Sequence, residues 1–241
     1  MERIFGKSQS KAATSAEAGE HWVSLSDLMA GLMMVFMLIS IAFMQYVKER
    51  EGNITDVAAA YQNTQVALFE QLYEEFKSDL SVWDAEINKE TLEFSFNSPE
   101  VLFDTGAITL KPQFKQILDD FFPRYLGVIK NFKDSISEIR IEGHTSSIWN
   151  RFTSDTEAYF NNMELSQGRT RAVLQHVYTL DRVVEEQEWI KSKFAAVGFS
   201  SSKLVRVGGV ENVEGSRRVT FKVFTNAETQ IRKILAKQNE N

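Results

Sequence analysis

A run of twenty residues from Leu28 to Val47 contains no charged side chain, and it restricts the fold of this chain more than any other feature. At about 1.5 Å of rise per residue, a helix of this length covers roughly 30 Å, the thickness of the hydrocarbon core of a bilayer. The run therefore predicts one membrane-spanning helix, which we place over residues 21–47.

A secretory signal peptide is the alternative for an apolar run this close to the amino terminus. Its apolar core has about 7 to 15 residues and ends in a small-residue cleavage site. This run is longer, and it leads into Gln45, Tyr46, Lys48 and Arg50, which are typical of an anchor at the membrane interface. Three basic residues precede the span and two follow it, after which none occurs before Lys77, so the bias favours a cytoplasmic amino terminus.

The remaining composition is that of an ordinary soluble protein. The 241 residues are 43% hydrophobic and 25% charged, which leaves room for one compact domain and a linker outside the span. A net charge of -6 and a pI near 5.3 argue against a nucleic-acid partner, because phosphate binding needs a basic surface. The absence of cysteine excludes disulfides and thiolate metal sites and suits an oxidising compartment.

Two flanking segments are predicted from their patterns. Residues 1–20 lack an apolar period and are expected to form a mobile cytoplasmic tail. Residues 48–89 are expected to form a long helical linker, because apolar residues recur at intervals of three and four and no glycine or proline occurs from Asn53 to Ser98. The stripe has two possible partners, the chain's own domain or a second copy in a parallel pair. It consists of Ile54, Val57, Tyr61, Leu68, Leu72, Phe76, Leu80, Trp83 and Ile87.

The spacing of apolar residues changes at Glu90, and residues 90–225 have the pattern of an α/β domain. Leu92, Phe94 and Phe96 alternate with polar neighbours, as in a half-buried strand. The order strand, helix, strand, helix, strand, strand is that of an α/β sandwich with a mixed sheet. The later strands are predicted over 136–142, 193–197 and 218–224, and the helices over 110–132, 163–180 and, as a separate carboxy-terminal helix, 226–241.

Asp27 stands at the start of the apolar run, and two roles fit it. It can cap the helix, because Ser24, Ser26 and Asp27 are good N-cap residues and the helix dipole favours a carboxylate there. Trp22 and Val23, however, begin the interfacial and apolar residues before Asp27, which places the carboxylate inside the membrane boundary. Desolvation among apolar side chains favours the neutral form of a carboxyl group, so Asp27 is predicted to carry a proton.

Signatures of enzymes and of metal sites are few. His21, His144 and His176 lie far apart, and no two histidines are four residues apart. Neither a Gly-x-Ser-x-Gly elbow nor a phosphate-binding glycine loop occurs, and Gly208-Gly209 indicates only a turn. We therefore expect no enzymatic activity, no metal and no cofactor.

The segment from Trp22 to Met29 resembles the membrane entry of MotB-type stator subunits, where a tryptophan is followed by four residues, an aspartate, one residue and a methionine. The resemblance implies that Asp27 is the proton-carrying residue of an ion-driven motor. Apart from Ser24 and Ser26, no further polar residue lies near Asp27, which favours protons over sodium ions.

Residues 90–224 are similar to the OmpA-like peptidoglycan-binding family, to which the wall-binding domain of MotB belongs. The resemblance implies a pocket for the diaminopimelate of a stem peptide, in which an arginine grips a carboxylate and an aspartate receives the ammonium. Five segments carry it in the family's order: Phe103-Asp104-Thr105-Gly106 with Leu110, Ile139 to Thr145, Asn162-x-x-Leu165-Ser166-x-x-Arg169, Ala196 to Phe199, and Ser216 to Val219.

On these positions, the resemblance implies that Arg169, Asn162, Leu165, Thr145 and Ser146 bind peptidoglycan, with Arg169 holding the carboxylate. The family's Gly-His-Thr-Asp ends in Ser146 here, and a hydroxyl brings no charge, so affinity or ligand choice is expected to differ.

The loop over residues 146–161 is longer than is usual in the family and is predicted to re-line the pocket with Trp149, Asn150, Arg151 and Tyr159. The alternative is that the matching residues only hold the fold, with Asn162 and Ser166 capping a helix and Arg169 in a surface ion pair.

Together the two resemblances imply a stator subunit of an ion-driven motor in the bacterial inner membrane. They imply a homodimer whose single helices stand inside a pentameric ring of a polytopic MotA- or ZorA-like partner, with paired periplasmic domains on peptidoglycan. The long linker and Ser146 make the chain more similar to the ZorB subunits of Zorya anti-phage systems than to flagellar MotB, which is the alternative motor. A passive membrane-tethered wall anchor is an alternative of a different class.

Overall fold

The computed structural model describes residues 10–97 and 99–226, with side chains described over 26–48, 62–97 and 101–226. The contacts divide the chain into two units, Met1–Asp56 and Val57–Asn241. Residues 227–241, where the carboxy-terminal helix was predicted, lie outside the described residues.

The first helix, α1, spans Ser10–Phe76. Its apolar part, Ser26–Lys48, is long and apolar enough to cross a membrane, in agreement with the predicted span. From Ser10 onward the predicted tail is helical and continuous with the span, since alanine, lysine and glutamate there are good helix formers. Residues 1–9 of the predicted tail lie outside the described residues.

The last turns of α1 pack against the chain's own domain. Leu68, Leu72 and Phe76 are buried in its hydrophobic core, which confirms the intramolecular interpretation of the stripe for these residues. The prediction of a continuous linker helix is wrong after Phe76, because the chain turns and then forms strand β1 (Ala85–Asn88). Asp84, with a φ of +48°, has a backbone conformation that a right-handed helix does not allow.

Five strands form one mixed sheet in the order β1-β2-β7-β3-β4. Strands β3 and β4 are parallel, and every other neighbouring pair is antiparallel. The mixed sheet confirms the predicted α/β architecture. The other four strands are β2 (Glu93–Phe96), β3 (Ile136–His144), β4 (Phe194–Gly198) and β7 (Arg218–Thr225).

Helix α3 (Pro112–Ile129) brings an aromatic face to the core. The ring centroid of Phe121 lies 4.6 Å from that of Phe94 and 5.1 Å from that of Phe221. Burial of such rings contributes to the hydrophobic stabilisation of the domain.

Helix α4 (Asp155–Tyr178) carries most of the candidate site, and it begins eight residues before the predicted start. Ser154 is its N-cap: the Ser154 hydroxyl accepts from the backbone N–H of Glu157, and the Glu157 carboxylate accepts from the backbone N–H of Ser154. The helix packs on β3 and β4. Asn162 and Ser166 lie inside the helix and are buried, so the prediction that they cap it is wrong.

Short elements complete the fold. Positive φ angles at Gly208 and Gly209 form the turn of a two-stranded hairpin, which confirms the predicted turn. The sequence patterns did not predict these elements, each of which is shorter than two full helical turns or three strand residues: α2 (Pro99–Leu102), α5 (Gln187–Lys193), β5 (Arg206–Val207), β6 (Val210–Glu211) and α6 (Val213–Ser216).

Candidate functional site

A cavity of about 340 Å³ lies between the loop after β3 and helix α4. All five residues predicted to bind peptidoglycan line it, although they are spread over two separate segments of the chain. The fold therefore gathers the predicted residues at one place. The other lining residues are Phe103, Thr105, Gly106, Ile148, Trp149, Asn150, Glu214 and Arg217.

Arg169 is fixed in this cavity by groups that carry no net charge. Its Nε–H donates to the carbonyl oxygen of Ala107 at 2.9 Å, and Nη2 donates to that of Asp104 at 3.1 Å. The guanidinium also stands 4.7 Å from the ring centroid of Phe103. A guanidinium has five N–H donors, so these two bonds leave three donors for another partner.

Arg169 also lacks a counterion among the side chains that the structure describes. Burial, and secondly the positive charge of Arg217, lower the pKa of Arg169 to about 10. The side chain is therefore still a cation at neutral pH, and an anionic ligand would relieve both its desolvation and the repulsion from Arg217. The alternative that Arg169 forms a surface ion pair is wrong for the described part of the chain.

The loop after β3 presents polar groups to the same cavity. The Thr145 hydroxyl is buried and has no partner among the described residues. The Ser146 hydroxyl accepts a hydrogen bond from Nε of Arg217 at 3.2 Å. Asn162 donates through Nδ2 to the carbonyl oxygen of Ser146 at 3.2 Å, which holds the loop against α4.

Arg217 is a cavity residue that sequence reasoning missed. Its Nη1 lies 3.5 Å from the carboxylate of Glu214, which also lines the cavity. The sequence feature that could have identified Arg217 is the pair of consecutive arginines in the segment from Ser216 to Val219. Neighbouring residues of an extended chain point to opposite sides, so only one of the two arginines can face the cavity. Arg218 faces away and donates to the carbonyl oxygens of Lys203 and Ser216.

The long loop contributes to the cavity wall, as predicted. Ile148, Trp149 and Asn150 line the cavity, whereas Arg151 and Tyr159 are not among its lining residues. The beginning of the loop is tied to the hairpin, since the backbone N–H of Ser147 donates to the Glu211 carboxylate at 2.9 Å.

Two glycines allow the sheet to approach α4 closely enough to place Arg169. A Cβ on Gly198 would lie 2.4 Å from the backbone nitrogen of Gln167, and one on Gly143 would lie 2.8 Å from the carbonyl oxygen of Ser166. Neither distance is compatible with a side chain, so the packing of α4 on β3 and β4 requires glycine at both positions.

Asp27 lies in the interior of α1 and not at its start. An N-cap residue has a non-helical backbone, whereas α1 begins at Ser10 and includes Trp22 and Ser26. The capping interpretation is therefore wrong. Aspartate is a poor helix former in such a position, and its side chain is exposed at the start of the apolar segment Ser26–Lys48, so helix formation does not account for this residue.

Comparison with known proteins places the chain in a family. It is 57% identical over 236 residues to the Zorya protein ZorB of Escherichia coli, and the match covers 98% of this chain and 99% of that protein. The chain belongs to the ZorB family. This confirms the resemblance to ZorB predicted from the sequence. No protein-family model matches the sequence.

Several solved structures have similar backbones. A putative MotB-like protein from Desulfovibrio vulgaris has a TM-score of 0.46 and 19% identity, covering 68% of this chain and 94% of that one. The periplasmic domain of Helicobacter pylori MotB has a TM-score of 0.43 and 15% identity, covering 64% and 90%. The cell wall anchor of the T6SS from Pseudomonas aeruginosa has a TM-score of 0.42 and 16% identity, covering 64% and 96%.

Next to the cavity, this ZorB-family chain buries an ionisable pair on β3. Nε2 of His144 lies 3.6 Å from Oε2 of Glu142, and Lys203 lies 3.4 Å from the same oxygen. Burial lowers the pKa of His144, while the interaction with Glu142 opposes that shift only in part. Burial acts to raise the pKa of Glu142, but the pKa is lowered by His144 and Lys203. His144 is thus a neutral, stacked ring against Phe199 at neutral pH.

Proposed function

We propose that this ZorB-family chain is a stator subunit of a proton-driven motor in the bacterial inner membrane, with its α/β domain anchored to peptidoglycan. The observation that carries the proposal is Asp27, a carboxylate in the interior of α1 and in the first turn of its apolar segment, where it neither caps the helix nor favours its formation. Intramembrane carboxylates without a structural role are characteristic of proton pathways.

The cavity supports the anchoring half of the proposal. Three free N–H donors on Arg169 suit a carboxylate of a peptidoglycan stem peptide, and the unpartnered hydroxyl of Thr145 can bind a further polar atom. Ser146 offers no charge to an ammonium group, but Glu214 lines the same cavity and can supply one. We assign the carboxylate to Arg169 and the ammonium to Glu214, with Asn162 and Leu165 shaping the wall.

The driving force would come from protons crossing the membrane at Asp27. In this scheme a proton enters from the periplasm, neutralises Asp27 while it passes an apolar face of the partner, and leaves to the cytoplasm. One elementary charge crossing about 100 mV releases roughly 2.3 kcal/mol. The amino terminus is then cytoplasmic, the α/β domain periplasmic, and two copies stand inside a ring of the polytopic ZorA-like partner.

Replacing the acid by its amide tests the proposal against a passive wall anchor. Asp27→Asn keeps the size and polarity of the side chain and removes its proton-carrying group. Cells that express the chain with its natural partner genes are challenged with phage, and protection is measured by plating efficiency. We expect Asp27→Asn to abolish protection at an unchanged protein level in the membrane.

The matched control is Glu70→Gln, an acid-to-amide change at an exposed position of the same helix outside the span. This variant is expected to protect as the wild type does. Full protection by Asp27→Asn would refute the motor and leave the passive anchor.

A further inference from the structure

Two phenylalanines next to the cavity are exposed to an extent that folding does not explain. Phe152 is 84% exposed and Phe160 is 63% exposed, and we refer to these two residues as the aromatic platform. Phe152 lies in the long loop, and Phe160 lies in the second turn of α4. Large apolar side chains grouped at a surface indicate a binding site, because their exposure costs free energy in the unbound protein.

The aromatic platform lies in a shallow, open groove whose other groups are mostly neutral and polar. Its one acid, Glu157, is already engaged in the capping box of α4. The groove therefore offers aromatic rings surrounded by amides and hydroxyls, and the guanidinium of Arg151 stands 4.7 Å from the ring centroid of Phe152. These residues are Asn150, Phe152, Thr153, Thr156, Glu157, Phe160 and Asn161.

The groove is continuous with the cavity that holds Arg169. Asn150 lines both of them, so a molecule that fills the cavity meets the groove at this residue. The Oδ1 atom of Asn150 accepts from the backbone N–H of Phe152 at 2.9 Å, which fixes the side chain between the two sites.

Saccharide rings match the groove in their chemistry. A pyranose ring has an apolar face of C–H groups that can cover an aromatic ring, and its edge carries hydroxyls that bond to amides and hydroxyls. A nucleobase could also stack on the rings, but a phosphate backbone needs a basic surface, and this chain has a net charge of -6 with a single guanidinium, that of Arg151, against the platform among the described residues. The groove therefore suits a sugar chain.

We propose that the groove binds the glycan strand of peptidoglycan beside the stem peptide held in the cavity. This inference rests on the proposed wall-binding function and extends it from the peptide to the sugar. The cavity would supply recognition of the peptide's charge through Arg169, and the aromatic platform would supply contact area on the adjacent sugars.

The test measures binding of two soluble fragments to the full-length protein in detergent. One probe is the free stem peptide, and the other is the same peptide attached to its disaccharide. The variants are Phe152→Ser and Phe160→Ser, and the control is Val82→Ser, which changes an equally exposed apolar residue that lines neither site. Thermal unfolding verifies that each variant is folded.

We expect each platform variant to bind the disaccharide-peptide roughly fivefold to tenfold more weakly, since one ring face covers on the order of 50 Å² of apolar surface. Affinity for the free peptide should not change. Equal affinities of the two probes for the wild type, or no effect of either variant, would overturn the inference. So would variants that change self-association, measured by sedimentation, and leave sugar binding intact.

Arg169→Ala separates the failure of this inference from that of the wall-binding function. If Arg169→Ala abolishes binding of both probes while the platform variants have no effect, the wall-binding function stands and the sugar site is refuted. If the wild type binds neither probe, both proposals fail.

Discussion

Replacement of Arg169 tests the anchoring function most directly, because this side chain combines a structural and a binding role that can be measured separately. Its two hydrogen bonds to the carbonyls of Asp104 and Ala107 hold the segment before α3, and three further N–H donors of this cavity-lining residue stay available to a ligand. Arg169→Met removes all of these donors and keeps the apolar stem. Arg169→Lys keeps the charge but loses the planar fork.

The magnitudes follow from these contacts. A typical hydrogen bond contributes about 0.5–1.5 kcal/mol and one from an ionised donor about 1.5–3 kcal/mol, and since Arg169 is only partly buried, we take about 1–1.5 kcal/mol for each bond to a carbonyl. Arg169→Met should therefore lower the free energy of unfolding by about 2–3 kcal/mol. Loss of the bond pair to the ligand carboxylate should cost a similar amount, which is roughly a 30-fold to 150-fold loss of affinity. For Arg169→Lys we expect a loss of affinity of about tenfold.

The assay is co-sedimentation of the full-length protein with purified peptidoglycan sacculi, titrated to obtain an affinity, with denaturant unfolding measured in parallel. The matched control is Arg171→Met, an exposed arginine on the same helix that does not line the cavity. It should bind sacculi as the wild type does. If Arg169→Met loses stability by the expected amount but binds sacculi within twofold of the wild type, Arg169 is a structural residue and the anchoring argument is refuted.

Two further predictions concern the packing around the cavity. Gly198→Ala should destabilise the domain by about 1–3 kcal/mol, because its Cβ would lie 2.4 Å from the backbone nitrogen of Gln167. Gly127→Ala in α3 should stabilise the domain by about 0.5–1 kcal/mol, because its Cβ would meet no atom within 4 Å. Denaturant unfolding measures both, and equal effects would contradict the close approach. Because the pKa of His144 is below its ordinary value of 6.5, the unfolded state binds more protons in the interval between the two pKa values. The neutral His144 therefore contributes its full stabilisation above pH 6.5, and this stabilisation is lost as the pH falls. His144→Gln should make the free energy of unfolding less dependent on pH between pH 6.5 and 5. An unchanged slope of that free energy against pH would contradict the assignment.

Local patterns predicted the long elements of the domain well, because each carries its own period. The alternation of Phe94 and Phe96 and the helical spacing in α3 depend only on which face is buried. Strand β1 was missed because Ile87, four residues after Trp83, also fits the helical spacing of the preceding stripe. The start of α4 was placed too late because Ser154 and Glu157 form a capping box whose signal is two polar residues three apart, with no apolar period to support it.

For the candidate site, sequence motifs located the residues but not their states. The five predicted positions line one cavity, yet the sequence did not show that Arg169 bonds to two carbonyls and lacks a counterion among the described side chains. Nor did it predict that Arg217 would face the same cavity. Such properties depend on which atoms from distant segments meet, and a local pattern carries no information about those distances.

The sequence by itself determined that the chain has an apolar segment long enough to cross a membrane and that an α/β domain follows it, and it named five motif positions that line one cavity. Only the tertiary structure decided the role of the borderline residues. Asp27 is not a helix cap, because α1 extends back to Ser10. The end of α1 belongs to the domain, because Leu72 and Phe76 are buried in its core. The physical reason is that helix boundaries and burial are set cooperatively, by propagation along the backbone and by packing between distant segments.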